Sequence, residues 1–105
     1  MYFAHDRLDV YRLALEVARW AAAQAIPASR KHLRDQLVRA ADSVVLNIAE
    51  GAGREPGDSR RHHFRIAAGS AAEVAAIVDL VLPNAGDRLH DLRRLGAMLS
   101  KLSRR

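Results

Sequence analysis

The sequence contains no cysteine, which excludes a disulfide framework, a thiolate metal site and a cysteine nucleophile. Aromatic residues are scarce, at 5% of the chain, and the apolar half consists mostly of Ala, Leu, Val and Ile. This composition favours helices, because Ala and Leu lose little side-chain entropy there. No segment has the roughly 18 uninterrupted apolar residues of a membrane span, and residues 1–9 lack the pattern of a signal peptide. We therefore expect a cytoplasmic protein without membrane association.

The chain has 105 residues, which leaves room for a single domain spanning residues 1–105. Its formal net charge is +5. A basic surface favours an acidic partner, and that partner could be RNA, DNA or an acidic protein.

Apolar residues recur at helical spacing in four segments, which predict helices at about residues 8–25, 30–52, 59–82 and 87–103. Pro27, the segment 51–57 and the segment 83–86 separate these helices with turn-forming residues. Asp6 is the expected N-cap of the first helix. Because short turns favour antiparallel neighbours, the sequence predicts an all-α, antiparallel up-down-up-down four-helix bundle.

The third predicted helix is apolar on two sides. Phe64, Val74 and Val78 mark the expected core side, while Ile66, Ile77 and Leu80 mark the other. A helix that is apolar on two sides must be covered on both. We therefore expect an interface between copies of the chain on this side of the third helix, at Ile66, Ile77 and Leu80. Leu46, on the otherwise polar side of the second helix, is expected to belong to the same interface. The alternative is that these four are scattered surface residues.

A polar row follows one side of the second and third helices: Ser43, Asn47, Glu50, Ser70 and Glu73. We interpret it as a hydrogen-bonded network that fixes the register of two helices; the alternative is a pair of carboxylates at a ligand site. A carboxylate-bridged metal centre in a bundle needs Glu-x-x-His pairs. No glutamate here has a histidine three residues later, so we expect no metal.

Basic side chains are densest where the third helix begins: Arg60, Arg61, His62, His63 and Arg65, with Arg54 shortly before. The positive pole of the helix adds to their potential, which makes this cluster the candidate for phosphate or acidic-partner contacts. The alternative is a solvated helix start. A second basic group is interpreted as solvated surface: Arg93, Arg94, Lys101, Arg104 and Arg105. Neither group is interleaved with aromatic residues, so we expect no sequence-specific reading of single strands.

Catalytic motifs are missing as well. The glycine-rich segment 51–57 lacks the Gly-Lys-Ser/Thr ending of a phosphate loop, and no serine lies in a nucleophile elbow. We expect no enzymatic activity and no cofactor.

Two segments carry a family resemblance. One runs from Gln36 to Arg54 and contains Asn47-Ile48-Ala49-Glu50-Gly51; the other runs from Phe64 to Glu73 and contains Gly69-Ser70 followed by Glu73. Together with Leu8-Asp9-Val10-Tyr11, they resemble the four-helix bundle family encoded by intervening sequences in bacterial 23S ribosomal RNA genes. That family is also similar to the accessory protein of diversity-generating retroelements. One departure is Val44-Val45, where relatives commonly carry Ile-Pro. Because the proline that would kink the helix is missing, this departure predicts a more regular second helix.

The resemblance implies a four-helix protomer, a ring-shaped homopentamer and no known enzymatic activity. The retroelement relatives bind a reverse transcriptase, and the resemblance also implies contact with nucleic acid through a basic surface. Our leading hypothesis is a non-enzymatic, oligomeric, basic scaffold that binds nucleic acid, or a nucleic-acid-processing protein, through charge. The alternative is a protein-interaction module with an acidic protein partner and no role with nucleic acid.

Overall fold

The computed structural model describes Tyr2–Arg105, and four α-helices make up most of this part of the chain. They are α1 (Asp9–Ala22), α2 (Lys31–Ala52), α3 (Asp58–Val81) and α4 (Gly86–Leu102), with short 3-10 turns at Ala4–Arg7 and Ala28–Arg30. No β-strand occurs within Tyr2–Arg105. Among the helices described, none combines the length and the apolar composition needed to cross a bilayer.

The helices form the predicted antiparallel bundle. Each helix packs against the next in sequence, and α1 also packs against α4. The α2–α3 interface is the most extensive. Pairs across that interface show the direction of the two helices: Ser43 lies against Ser70, and Asn47 lies against His63. As α2 advances, its partners on α3 come earlier in the chain. The up-down-up-down prediction is therefore confirmed.

Aliphatic side chains fill the core. The largest fully buried ones are Phe64, Leu37, Ile48, Leu95, Leu99, Val74 and Val78. Alanines at Ala14, Ala41 and Ala67 lie among them and let the helices approach closely. Burying one such Leu or Phe side chain contributes about 1.5–3 kcal/mol of transfer free energy.

Two glycines are needed at the junction of α2 and α3. A Cβ at Gly51 would lie 2.9 Å from Cε1 of Phe64, so the ring rests directly on the backbone of α2. Gly57 precedes α3 with a φ of 149°, a conformation that side-chain-bearing residues rarely adopt. The turn 53–57 therefore brings the chain back along α2 with Phe64 held against Gly51.

The helix ends differ from the predicted ends by up to three residues. α1 stops at Ala22, three residues before the predicted end, and the side chain of Gln24 donates a hydrogen bond to the carbonyl of Trp20 at 3.0 Å. The predicted N-cap was also wrong: Asp6 accepts a hydrogen bond from the backbone N–H of Phe3 at 2.8 Å. Asp6 thereby caps the 3-10 turn Ala4–Arg7, and α1 begins two residues after that turn.

The prediction for Ile77 was wrong. Its side chain is 4% exposed and belongs to the core, so it offers no surface to a second copy. Ile77 lies two turns after Ser70, on the same side of α3, and Ser70 is hydrogen-bonded to Ser43 of α2. α2 thus covers this side of α3, because a bundle helix packs against two neighbours and buries a wide arc.

Candidate functional site

One end of the bundle brings most of the first basic group together with Lys101, Arg104 and Arg105 of the second. The antiparallel topology places the start of α3 and the end of α4 side by side. Nη1 of Arg61 donates a hydrogen bond to the main-chain oxygen of Arg105, 2.9 Å away and 44 positions along the chain. We call this surface the basic end and define it by eight residues: Arg54, Arg60, Arg61, His62, Arg65, Lys101, Arg104 and Arg105.

Most cations at the basic end have no acidic partner. Arg54 lies 3.5 Å from Glu50, and Arg61 forms an ion pair with Asp58. Within Tyr2–Arg105, no ion pair involves the remaining arginines or the lysine, namely Arg60, Arg65, Lys101, Arg104 and Arg105. Arg65, Lys101, Arg104 and Arg105 are also exposed. Their positive charge is available to an anionic partner.

His63 has a different place from the rest of its predicted cluster. It is half-buried between α2 and α3, where Nδ1 lies 3.0 Å from Oδ1 of Asn47. Nδ2 of Asn47 donates to the carbonyl of Ser43 at 2.9 Å. Because that carbonyl can only accept, Oδ1 must face His63, and Nδ1 of His63 must carry the proton. The polar row on α2 therefore sets the tautomer of His63, and His63 is not a free partner-contacting group.

The polar network joins α2 to α3 through four residues. Ser43 and Ser70 lie 2.9 Å apart at their hydroxyl oxygens, and Asn47 also donates to the Ser43 hydroxyl at 3.2 Å. With His63, the chain of contacts links one turn of α2 to two turns of α3. It fixes the register of the two helices as a set of satisfied, half-buried polar groups.

Two predicted members lie outside this network, which corrects the prediction for both. Glu50 is exposed and pairs with Arg54 at the end of its own helix. Glu73 is exposed on the outer side of α3, seven residues from both Ile66 and Leu80. In the described part of the chain it makes no hydrogen bond and no ion pair. The two carboxylates therefore do not form a pair, and no group of three His, Asp or Glu side chains within Tyr2–Arg105 could hold a metal ion.

Exposed apolar residues form two separate surfaces. Leu46 is 64% exposed and lies in a groove between α1 and α2 with Leu15 and Val45, which continues toward Phe3. On α3, Leu80 is 63% exposed and Ile66 is 37% exposed, and both lie on the same side of the helix as Glu73. Three of the four residues predicted at an interface are therefore accessible, on two different sides of the bundle.

The opposite end of the bundle has a recess that the sequence analysis missed. It has a volume of about 460 Å³ and lies between the end of α1 and the turn from α3 to α4, beside Trp20 and Leu82. Arg88 lies over the Trp20 ring at 5.9 Å, 2.9 Å from Glu16 and 3.3 Å from Asp91. No sequence spacing indicated this cluster, because Glu16 and Arg88 are 72 positions apart.

The convergence of the two basic groups was also missed, although a signal for it was present. An antiparallel four-helix topology places the start of the third helix beside the end of the fourth, and both segments are rich in arginine. The two groups could have been joined on that ground alone.

The fold and the site define an all-α, antiparallel four-helix bundle with one basic end. A family model described as 23S rRNA-intervening sequence protein matches residues 6–104. The chain belongs to this family, as the resemblance in the segments around Asn47 and Ser70 indicated. No curated protein matches the chain.

Proposed function

We propose that this protein is a non-enzymatic, self-associating scaffold that binds nucleic acid through its basic end. The observation that carries the proposal is the contact of Arg61 with Arg105, which joins two basic segments into one surface. Cationic side chains without acidic partners are the groups that neutralise phosphates and release their counterions. Such contacts position a nucleic acid without reading its sequence.

The charge at this end supports a polyanion over a small ligand. The turn and helix ends that carry the basic end also carry three carboxylates: Glu50 and Asp58 are paired with Arg54 and Arg61, and the exposed Glu55 forms no ion pair within Tyr2–Arg105. The cations of the basic end outnumber these carboxylates. A surface of this kind attracts a chain of phosphates over its whole width.

Self-association is the second half of the proposal. Leu46 on the α1–α2 side and Leu80 on the α3 side are both largely exposed. When two different surfaces associate, the contact is heterologous, and repeating it closes a ring if the rotation permits. We propose that the α3 surface of one copy contacts the Leu46 groove of the next, in a ring of five as the family resemblance implies.

The binding half is tested by fluorescence anisotropy with a labelled RNA duplex and a labelled DNA duplex at several salt concentrations. We expect binding that weakens steeply as salt increases. Absence of binding at low ionic strength would overturn it. If nuclease-treated protein instead recovers a single acidic protein partner from lysate, and binds neither duplex, the protein-interaction function replaces this one.

The assembly half is tested by light scattering on the wild type and on Leu80→Glu. We expect an oligomer for the wild type and a folded monomer for the variant, because the charge is placed on an exposed side chain. Ile77→Glu is the matched comparison three residues earlier, and we expect it to unfold the protein, since it buries a charge. A monomeric wild type would contradict the assembly.

A further inference from the structure

A small recess lies within the basic end, at the junction of three elements. The turn before α3, the first turns of α3 and the end of α4 surround a volume of about 280 Å³. Its lining is Pro56, Arg60, Arg61, Phe64, Leu102 and Arg105. The recess is thus apolar where Phe64 and Leu102 lie and cationic where the three arginines lie.

The size and the lining restrict what the recess can hold. Its volume lies just below the range of about 300–1,000 Å³ usual for small-molecule sites. A ligand with one planar ring and one attached phosphate fits both the apolar and the cationic parts of this lining. The apolar part favours a ring, and the arginines favour a phosphate.

We propose that this recess binds one unpaired nucleotide of a single-stranded nucleic acid. This inference rests on the proposed function and names the form of nucleic acid that the basic end prefers. The base lies against Arg60 and the apolar wall, and its phosphate is bound by Arg105. An unpaired base is required, because bases in a duplex are stacked on their neighbours and cannot enter a recess.

Arg60 is placed to stack on such a base. Its guanidinium carbon lies over the Phe64 ring, 5.8 Å from the ring centroid, so the cation covers this part of the apolar wall. Arg60 is only half-buried and lines the recess, and arginine planes are regular stacking partners of unpaired bases. Arg60 forms no ion pair within Tyr2–Arg105, so no carboxylate competes for it.

Arg61 has a structural part in the site. It pairs with Asp58 and donates a hydrogen bond to the main-chain oxygen of Arg105. The second contact joins the end of the chain after α4 to the start of α3, beside the recess that Arg105 lines. Substituting the side chain of Arg105 leaves the main-chain contact in place.

The direct test is NMR titration of the full-length protein with adenosine 5′-monophosphate and, separately, with ribose 5-phosphate. We expect the monophosphate to shift the amide signals around Arg60, Phe64 and Leu102, and ribose 5-phosphate to bind about tenfold more weakly, because it has no base to stack. Equal binding of the two, or shifts confined to other residues, would overturn the proposal.

A second test separates this inference from the proposed function. Arg60→Gln is compared with Arg65→Gln, which removes the same charge from the same end outside the recess. We expect Arg60→Gln to weaken binding of a single-stranded oligoadenylate about tenfold more than it weakens binding of a duplex, because the duplex loses only a charge contact whereas the single strand also loses a stacked base, and Arg65→Gln to weaken both alike. If both variants weaken both probes alike, the recess is not a nucleotide site and the proposed function still stands.

Discussion

The two ends of the bundle carry similar residues in different arrangements. At the basic end, exposed cations such as Arg65 and Arg104 form no ion pair within Tyr2–Arg105. At the opposite end, carboxylates lie beside three of the cations: Arg88 lies beside Glu16 and Asp91, and Lys31 and Arg34 lie beside Asp35, whereas Arg30 forms no ion pair within Tyr2–Arg105. The comparison shows that a net charge of +5 does not by itself locate a binding surface. We propose that the basic end is such a surface, because most of its cations lack acidic partners among the described residues.

The ends also differ in packing. The basic end is built on Phe64, which is 1% exposed and rests on Gly51. The opposite end is built around Trp20, which is half-buried and lines an open recess.

The largest expected decrease in stability comes from removing the buried Phe64 ring beneath the basic end. We expect Phe64→Ala to lower the free energy of unfolding by about 3–5 kcal/mol, because apolar burial is reduced and a cavity is left behind. Trp20→Ala at the opposite end should cost less, since that ring is only half-buried and borders an open recess. Urea unfolding of both variants measures the difference, and equal decreases would contradict the contrast in packing.

A smaller decrease is expected from filling the contact between α2 and α3. We expect Gly51→Ala to lower the free energy of unfolding by about 1–3 kcal/mol, because the new Cβ forces Phe64 to shift. Gly96→Ala is the matched control in α4, where a Cβ meets nothing within 4 Å. That variant should gain up to about 1 kcal/mol from helix propensity. Thermal unfolding that shows both changes with the same sign would argue against the Phe64–Gly51 contact.

The polar network should contribute less again. Asn47→Ala leaves Nδ1 of His63 and the carbonyl of Ser43 without their partner, and we expect the free energy of unfolding to fall by about 1 kcal/mol. Gln36→Ala, on an exposed residue nearer the opposite end of α2, should be close to neutral. Nitrogen NMR of the wild-type imidazole should find the proton of His63 on Nδ1, and finding it on Nε2 would contradict the hydrogen-bond assignment.

The smallest effect concerns the ion pair at the opposite end. The hydrogen bond from Lys31 holds the pKa of Asp35 below its usual value. A lowered pKa means that the pair stabilises the fold above the unfolded-state pKa and loses this contribution as the pH falls through the folded-state value. Because the pair is exposed, we expect only a slight change in stability. Carboxyl NMR titration should show the pKa of Asp35 rising in Lys31→Gln; an unchanged pKa would remove the pair from the comparison.

The sequence was sufficient for the architecture. Apolar spacing and the breaks at Pro27, Gly57 and Pro83 placed all four helices within three residues of their ends. The largest difference is at the end of α1, where the side chain of Gln24 binds the Trp20 carbonyl. Such contacts depend on one rotamer and leave no periodic signal.

The site was harder to predict, for a reason that lies in three dimensions. Ile77 and Leu80 are both apolar and three residues apart, yet one is buried against α2 and the other is exposed. Their spacing alone cannot set the rotation of α3 about its axis, which the packing against two neighbours decides. The sequence likewise predicted His63 as a member of the basic cluster. The structure places it against Asn47, a contact that depends on the register between α2 and α3.

The salt dependence of nucleic-acid binding tests the central claim most directly. It compares two double variants that remove the same charge: Arg65→Gln with Arg104→Gln at the basic end, and Lys31→Gln with Arg34→Gln at the opposite end. The logarithm of the binding constant is followed against the logarithm of the salt concentration. We predict that the basic-end variant lowers the magnitude of the slope by about one for each phosphate that is no longer neutralised, and that the other variant leaves it unchanged. Equal slopes for the two variants would contradict the assignment of the basic end as the nucleic-acid surface.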